Sequence, residues 1–124
     1  MAAGLSMRER RRHPRASEQV LIAVTGDGTV LQTHTKNLSA SGAYCTLGQF
    51  VAPMTKLDLQ FALANGSRHV TIRCCGVVVR IEPAPTADQP RYNVAIFFTE
   101  LSDRNRSAIT RFVRRRLAQA PSTL

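Results

Sequence analysis

The chain has 124 residues, 44% hydrophobic and 20% charged, which suits one folded domain and excludes a disordered or fibrous chain. Its net charge is +9, and 15 of its 17 basic residues are arginine. That balance points to phosphate, nucleotide or acidic-protein partners, because the guanidinium fork grips phosphates and base edges where lysine offers only a point charge, although a GC-rich genome also enriches arginine.

Residues 1–16 read as a flexible, basic N-terminal segment, and Pro14 argues against a helix running through it. Met1–Ser6 has no basic start leading into an apolar stretch, so a secretory signal is not expected. No apolar run approaches the roughly 20 residues of a membrane span. Residues 17–120 read as the folded unit. Val20–Val24 has the composition of a strand, followed by a Gly26-Asp27-Gly28 turn. Thr29–Lys36 reads as a second strand and Ala43–Leu47 as a third, with a loop at Pro53.

Leu57, Leu59, Phe61 and Leu63 alternate strictly with Asp58, Gln60 and Ala62, the pattern of a half-buried strand. Asn65-Gly66 signals a hairpin into a long strand, Arg68–Ile81, with Val70, Ile72, Cys74, Gly76 and Val78 on one face. Gly76 suggests a bulge or bend there. Glu82–Pro90 reads as a loop, and Arg91–Phe98 as the last strand with Tyr92, Val94, Ile96 and Phe98 facing one way. Beyond it the period lengthens. Ile109, Phe112, Val113 and Leu117 recur at helical spacing, Ser102 or Asp103 offers an N-cap, and Pro121 lies past the end. Arg104, Arg111, Arg114 and Arg115 fall on the opposite face. Arg106 and Arg116 lie nearer the apolar stripe, where their stems cover carbon while their heads reach water. Short antiparallel strands with one terminal helix predict an all-β, small-barrel fold with a helical lid.

Two polar clusters stand out from this frame. One is Arg10-Arg11-Arg12-His13-Pro14-Arg15, before the first strand; the other is Asn37-Leu38-Ser39-Ala40-Ser41-Gly42, between the second and third. Asparagine and serine supply short donors and acceptors, and glycine tolerates backbone geometry that other residues resist. Arginine forks match the O6/N7 edge of guanine and pair with phosphates through charge-assisted bonds. The two stretches are expected to meet around one anionic, guanine-bearing ligand.

With Arg-x-x-x-Arg at Arg11–Arg15 and Asn-x-Ser-x-x-Gly at Asn37–Gly42, in that order and among these strands, the chain resembles the PilZ domain family over about Arg8 to Leu117. The resemblance implies a six-stranded antiparallel β-barrel with a C-terminal α-helix. It also implies a bacterial, cytoplasmic receptor for cyclic di-GMP that switches conformation on binding and regulates a separate, unidentified protein in motility, pili or exopolysaccharide export. Carried over by motif, Arg11 and Arg15 would grip guanine edges and phosphates, Asn37 and Ser39 would hydrogen-bond the ligand, and Gly42 would keep the turn open. Arg10 beside the first motif implies a stacked pair of ligands. Many relatives carry glycine where Ala95 stands.

Other chemistry finds little support. Cys45, Cys74 and Cys75 form no Cys-x-x-Cys pair, and His13, His34 and His69 are scattered, so neither a metal site nor a redox motif is expected. The serines lack the Gly-x-Ser-x-Gly context of a hydrolase, no acidic pair is spaced for acid–base work, and no phosphate-binding Gly-Lys loop occurs. The expectation is a binding module that is not an enzyme, needs no cofactor and does not insert into a membrane. A ligand-blind interaction module is the alternative. A nucleic-acid-binding barrel ranks lower, because aromatic residues are not interleaved with the basic ones.

Overall fold

A computed structural model of the chain describes residues 19–85 and 89–119. Its strands are β1 (Leu21–Gly26), β2 (Thr29–Leu38), β3 (Gly42–Leu47), β4 (Lys56–Asn65), β5 (Arg68–Pro83) and β6 (Tyr92–Glu100), followed by helix α1 (Asp103–Gln119). The strands close into an antiparallel barrel in the order β1-β2-β3-β6-β5-β4, with β4 returning to β1. Closure pairs every edge that an open sheet would leave exposed.

Strict alternation in β4 sends Leu57, Leu59, Phe61 and Leu63 inward and leaves Asp58, Gln60 and Ala62 exposed. They meet Ile22, Val24, Ile72, Val78, Val94 and Ile96 in one continuous core. Val20 precedes β1 but is already pinned. Its N–H donates to Thr35 Oγ1 at 3.0 Å, and Thr35 N–H donates to its carbonyl at 2.8 Å.

The β1–β2 turn is two residues, Asp27 and Gly28, both at positive φ (53° and 78°), while Gly26 pairs with Thr29 as the last residue of β1. The primed turn type matches the twist of the flanking strands. The β4–β5 hairpin turns one residue later than the Asn-Gly signal suggests. Asn65 pairs with Arg68, and Gly66 at φ 67° begins the turn. Strand β5 runs to Pro83 and β6 to Glu100, both beyond the expected ends, because Glu82 and Pro83 find partners in Asn93 and Tyr92, and Glu100 finds one in Cys75.

Ser102 is the N-cap of α1: its Oγ accepts from Asn105 N–H at 3.1 Å. The helix packs through Ala108, Ile109, Phe112 and Val113. Leu117, expected on this stripe, is 47% exposed. It sits in the last turn beside exposed Ala118, past the residues that meet the barrel. Arg116 lies over the Phe112 ring at 5.0 Å. Arg106 does not send its head into water as expected, because its Nη1 donates to the carbonyl of Ala40 at 3.0 Å.

Candidate ligand-binding site

The register of β2 decides where the asparagine points. Thr35 pairs with Cys45, but the next pair is Asn37 with Tyr44, so Lys36 is an extra residue in the ladder. Without that bulge, Thr35 and Asn37 would share the inner face and Leu38 would face water. With it, Thr35 is buried at 1%, Asn37 turns outward and Leu38 goes fully into the core.

The corner that follows is closed by its own groups. Ser39 N–H donates to the carbonyl of Gly42 at 2.9 Å, and Ser41 N–H donates to Ser39 Oγ at 3.1 Å. Ser39 is therefore nearly buried, yet its hydroxyl keeps a hydrogen to donate. Two other elements hold the corner from outside. Phe98 N–H of β6 donates to Ser41 O at 2.9 Å, and the Arg106 guanidinium of α1 donates to Ala40 O at 3.0 Å.

Gly42 is required here by close approach rather than by an unusual φ. A methyl group built on it would lie 2.1 Å from the carbonyl oxygen of Ile96. The sequence motif suggests a glycine that relaxes a turn; the structure has one that lets β3 lie against β6.

Across the outer face, one cross-strand row runs Asn37 (β2), Tyr44 (β3), Ala95 (β6) and Arg80 (β5). The neighbouring row brings Gly42 beside Phe97. Gly42, which has no side chain, and Ala95, with a single methyl, form a trough floor between Tyr44, Phe97 and Arg80. The result is a cleft of about 540 Å³ that Asn37, Ser39, Ser41, Val79, Arg80 and Phe97 help to line, within the ~300–1,000 Å³ usual for small-molecule sites. A second bulge borders it: Val78 pairs with Ile96 and Arg80 with Ala95, leaving Val79 extra. Lys36 stands at the rim, 5.8 Å over the Tyr44 ring, with its Nζ donating to Asn93 Oδ1 at 3.1 Å.

Three of the residues picked from sequence, Asn37, Ser39 and Gly42, meet in this cleft. Arg10, Arg11 and Arg15 lie outside the described residues, as does the rest of segment 1–16. The attachment point of that segment is nonetheless fixed. Val20 is bonded to Thr35, two residues before Asn37 on the same strand. Five residues of chain span at most about 17 Å, and Asn37 lies only two residues along β2 from Thr35, the partner of Val20. Sequence reasoning missed Tyr44, Val79, Arg80 and Phe97. The alternation of β6 did hold a signal for Phe97, since Val94, Ile96 and Phe98 face inward.

A second groove of about 620 Å³ lies over β1, β4 and β5, where Asp58, Arg73, Cys75 and Glu100 line it. The Cys75 thiol donates to Asp58 Oδ1 at 3.4 Å; that bond first, then burial and the charges of Glu100 and Asp58, raise its pKa. A thiol held protonated is a poor nucleophile, and the carboxylates disfavour an anionic ligand. Among the described residues, no group of three or more His, Cys, Asp or Glu is placed to hold a metal ion, and no helix is long and apolar enough to cross a membrane.

Residues 9–115 match the family model described as the PilZ domain. Curated proteins yield no sequence match. Among solved structures, the chain is similar to the inhibitor of motility MotI/DgrA of Bacillus subtilis, with a TM-score of 0.78 at 21% identity over 90% of this chain and 54% of that one. It is also similar to the PilZ domain of YcgR from Escherichia coli, solved with c-di-GMP, at a TM-score of 0.70 and 14% identity over 89% and 93% of the two chains. A third neighbour is MrkH, described as a c-di-GMP-dependent transcription regulatory factor, at a TM-score of 0.65 and 16% identity over 90% and 52%. The chain thus spans about half the length of the first and third of these proteins. At these identities the likeness speaks for the fold.

Proposed function

The chain belongs to the PilZ domain family, and from that premise we propose that it is a bacterial, cytoplasmic receptor for cyclic di-GMP that regulates a separate protein. One observation supports this reading above the others: the segment carrying Arg11 and Arg15 joins the barrel at Val20, bonded to the strand that presents Asn37. Both motifs can then reach one ligand. In this reading Arg11 and Arg15 clasp guanine edges and the two phosphodiester charges through charge-assisted bonds. Asn37 offers a donor and an acceptor to a base edge, and Ser39 donates its remaining hydroxyl hydrogen. Gly42 keeps β3 against β6 so that the cleft retains its shape. Arg10 extends the grip to a second, stacked ligand. Regulation follows if the arginine segment takes one arrangement with ligand and another without it.

Calorimetry of the full chain with cyclic di-GMP tests the proposal. Saturable binding is expected, with two ligands per chain. Arg11→Ala and Arg15→Ala should each weaken it by about tenfold or more, since a bond to a charged group contributes roughly 1.5–3 kcal/mol. Unchanged affinity in both variants would reject the assigned roles, and a stoichiometry of one would reject the role of Arg10. The exposed Arg104, Arg111, Arg114 and Arg115 of α1 favour a second reading, a site for an acidic macromolecule. Steeply salt-dependent binding of any polynucleotide, without saturation by cyclic di-GMP, would put that reading first.

A further inference from the structure

Asn37, Ser39 and Ser41 are neutral, so the barrel's motif corner brings no formal charge to a dianionic ligand. Among the described residues lining the cleft, Arg80 is the one with a charged side chain. It stands at the far end of the row that begins with Asn37, three strands away, or about 14 Å at the usual spacing. Between them Ala95 leaves room where a larger side chain would fill the trough. Arg80 is held only loosely. Its ion pair with Glu82 measures 3.7 Å, and both side chains are half exposed or more, at 67% and 50%. Such pairs contribute little and exchange readily.

The same wall is apolar where it should not be if water were its normal neighbour. Phe97 is 51% exposed and Val79 is 52% exposed, and both line the cleft. An exposed apolar patch rimmed by polar groups marks a binding surface. The bulge at Val79 matters to both properties, because it breaks the alternation of β5 and brings Val79 and Arg80 out together.

We propose that Arg80 and Phe97 form a second contact set built into the barrel, Arg80 pairing with a phosphodiester of the ligand and the Phe97 ring covering the face of one guanine. This rests on the cyclic di-GMP reading and extends it. The motif corner holds one side of the ligand, and the β5–β6 wall holds the other. Glu82 competes with the ligand for Arg80 and repels its charge.

The test is calorimetry of the full chain with cyclic di-GMP across a small set of variants, each first checked by thermal melt. Arg80→Ala should weaken binding about tenfold or more and Arg80→Lys less, because lysine keeps the charge and loses the fork. Phe97→Ala should weaken it about fivefold or more, and Phe97→Leu nearly as much, since leucine keeps apolar area without a stacking face. Glu82→Gln should tighten binding a few-fold, a sign that a merely structural role for this pair would not produce. Wild-type affinity in Arg80→Ala, or no tightening in Glu82→Gln, would overturn the role of Arg80. Full affinity in Phe97→Leu would overturn the stacking role. If these variants bind normally while Arg15→Ala and Asn37→Ala do not, this proposal falls and the receptor reading stands. A wild-type chain that fails to bind removes both.

Discussion

Gly42→Ala is the sharpest test of how the corner is built. The added methyl would sit 2.1 Å from Ile96 O, 3.2 Å from Ile96 C and 3.3 Å from Phe97 Cα, all backbone atoms that cannot rotate away. Ordinary C···O contacts begin near 3.3 Å, so β3 and β6 must part by about 1 Å. That opening strains the Phe98 N–H bond to Ser41 O, now 2.9 Å, and the ladder bonds beside it. Overpacking costs about 1–3 kcal/mol, and a weakened backbone bond adds about 0.5–1.5, so the expected loss is about 2–4 kcal/mol. For a domain of this size the melting temperature should fall by roughly 10–20 °C. Urea titration should show a lower midpoint at unchanged slope. Gly48→Ala is the control: nothing lies within 4 Å of its added methyl and its φ is not left-handed, so it should be neutral or stabilise by up to about 1 kcal/mol. If Gly42→Ala stays within about 0.5 kcal/mol of wild type, the close-approach argument is wrong.

Other consequences can be checked in the same preparations. Arg106→Met keeps the stem and removes the bond to Ala40 O; cyclic di-GMP affinity should drop about 3- to 10-fold while the barrel stays folded. Unchanged affinity together with unchanged exchange of the Ser41 amide would show that the helix does not position the corner. Thr35→Val leaves the buried Val20 N–H without its side-chain acceptor and should cost about 1–3 kcal/mol, read by denaturation; a loss below 0.5 would argue against that pin. Burial pushes the Cys45 and Cys74 thiols up to about 11, so at pH 8 both are protonated as well as covered. A thiol reagent should titrate one group per native chain, Cys75, and three after denaturation. Three fast groups in the native chain would contradict the packing.

Much of the barrel was legible because a half-buried strand writes its burial directly into a period of two. Strand β4 is the clearest case, and α1 announces itself by the change of period after Phe98. The bulge suggested at Gly76 is present as a register shift between Cys75 and Gly76, but two other places where the ladder gains a residue escaped. One extra residue at Lys36 and another at Val79 leave no mark in hydropathy, yet they decide that Asn37, Val79 and Arg80 face outward. The Asn-x-Ser-x-x-Gly stretch was visible as chemistry, but the reason for its glycine lies in a strand more than fifty residues later. Arg106 was likewise readable only as a position near the apolar stripe, since its acceptor belongs to the corner. Leu117 shows the converse error: periodicity continues a stripe after the surface it covers has ended.

The bond from Arg106 to Ala40 tempts one to make α1 the output of a switch, with its four exposed arginines as the contact for a partner. Magnitudes argue otherwise. One such bond contributes on the order of 1–2 kcal/mol, which as a coupling energy changes a partner's affinity about 5- to 30-fold. Moving a population from 1:99 to 99:1 requires about 5.5 kcal/mol of differential binding. The corner cannot supply the remainder by moving, because bonds from Gly42, Ser39, Phe98 and Arg106 fix it and Gly42 has no free space against β6. If the receptor reading holds, the larger share must come from the segment that bears Arg11 and Arg15, with the ligand joining it to the barrel. Deleting residues 1–16 should then abolish any ligand dependence of partner binding, whereas Arg106→Met should only reduce it. A truncated chain that still responds fully to ligand would return the switch to the helix.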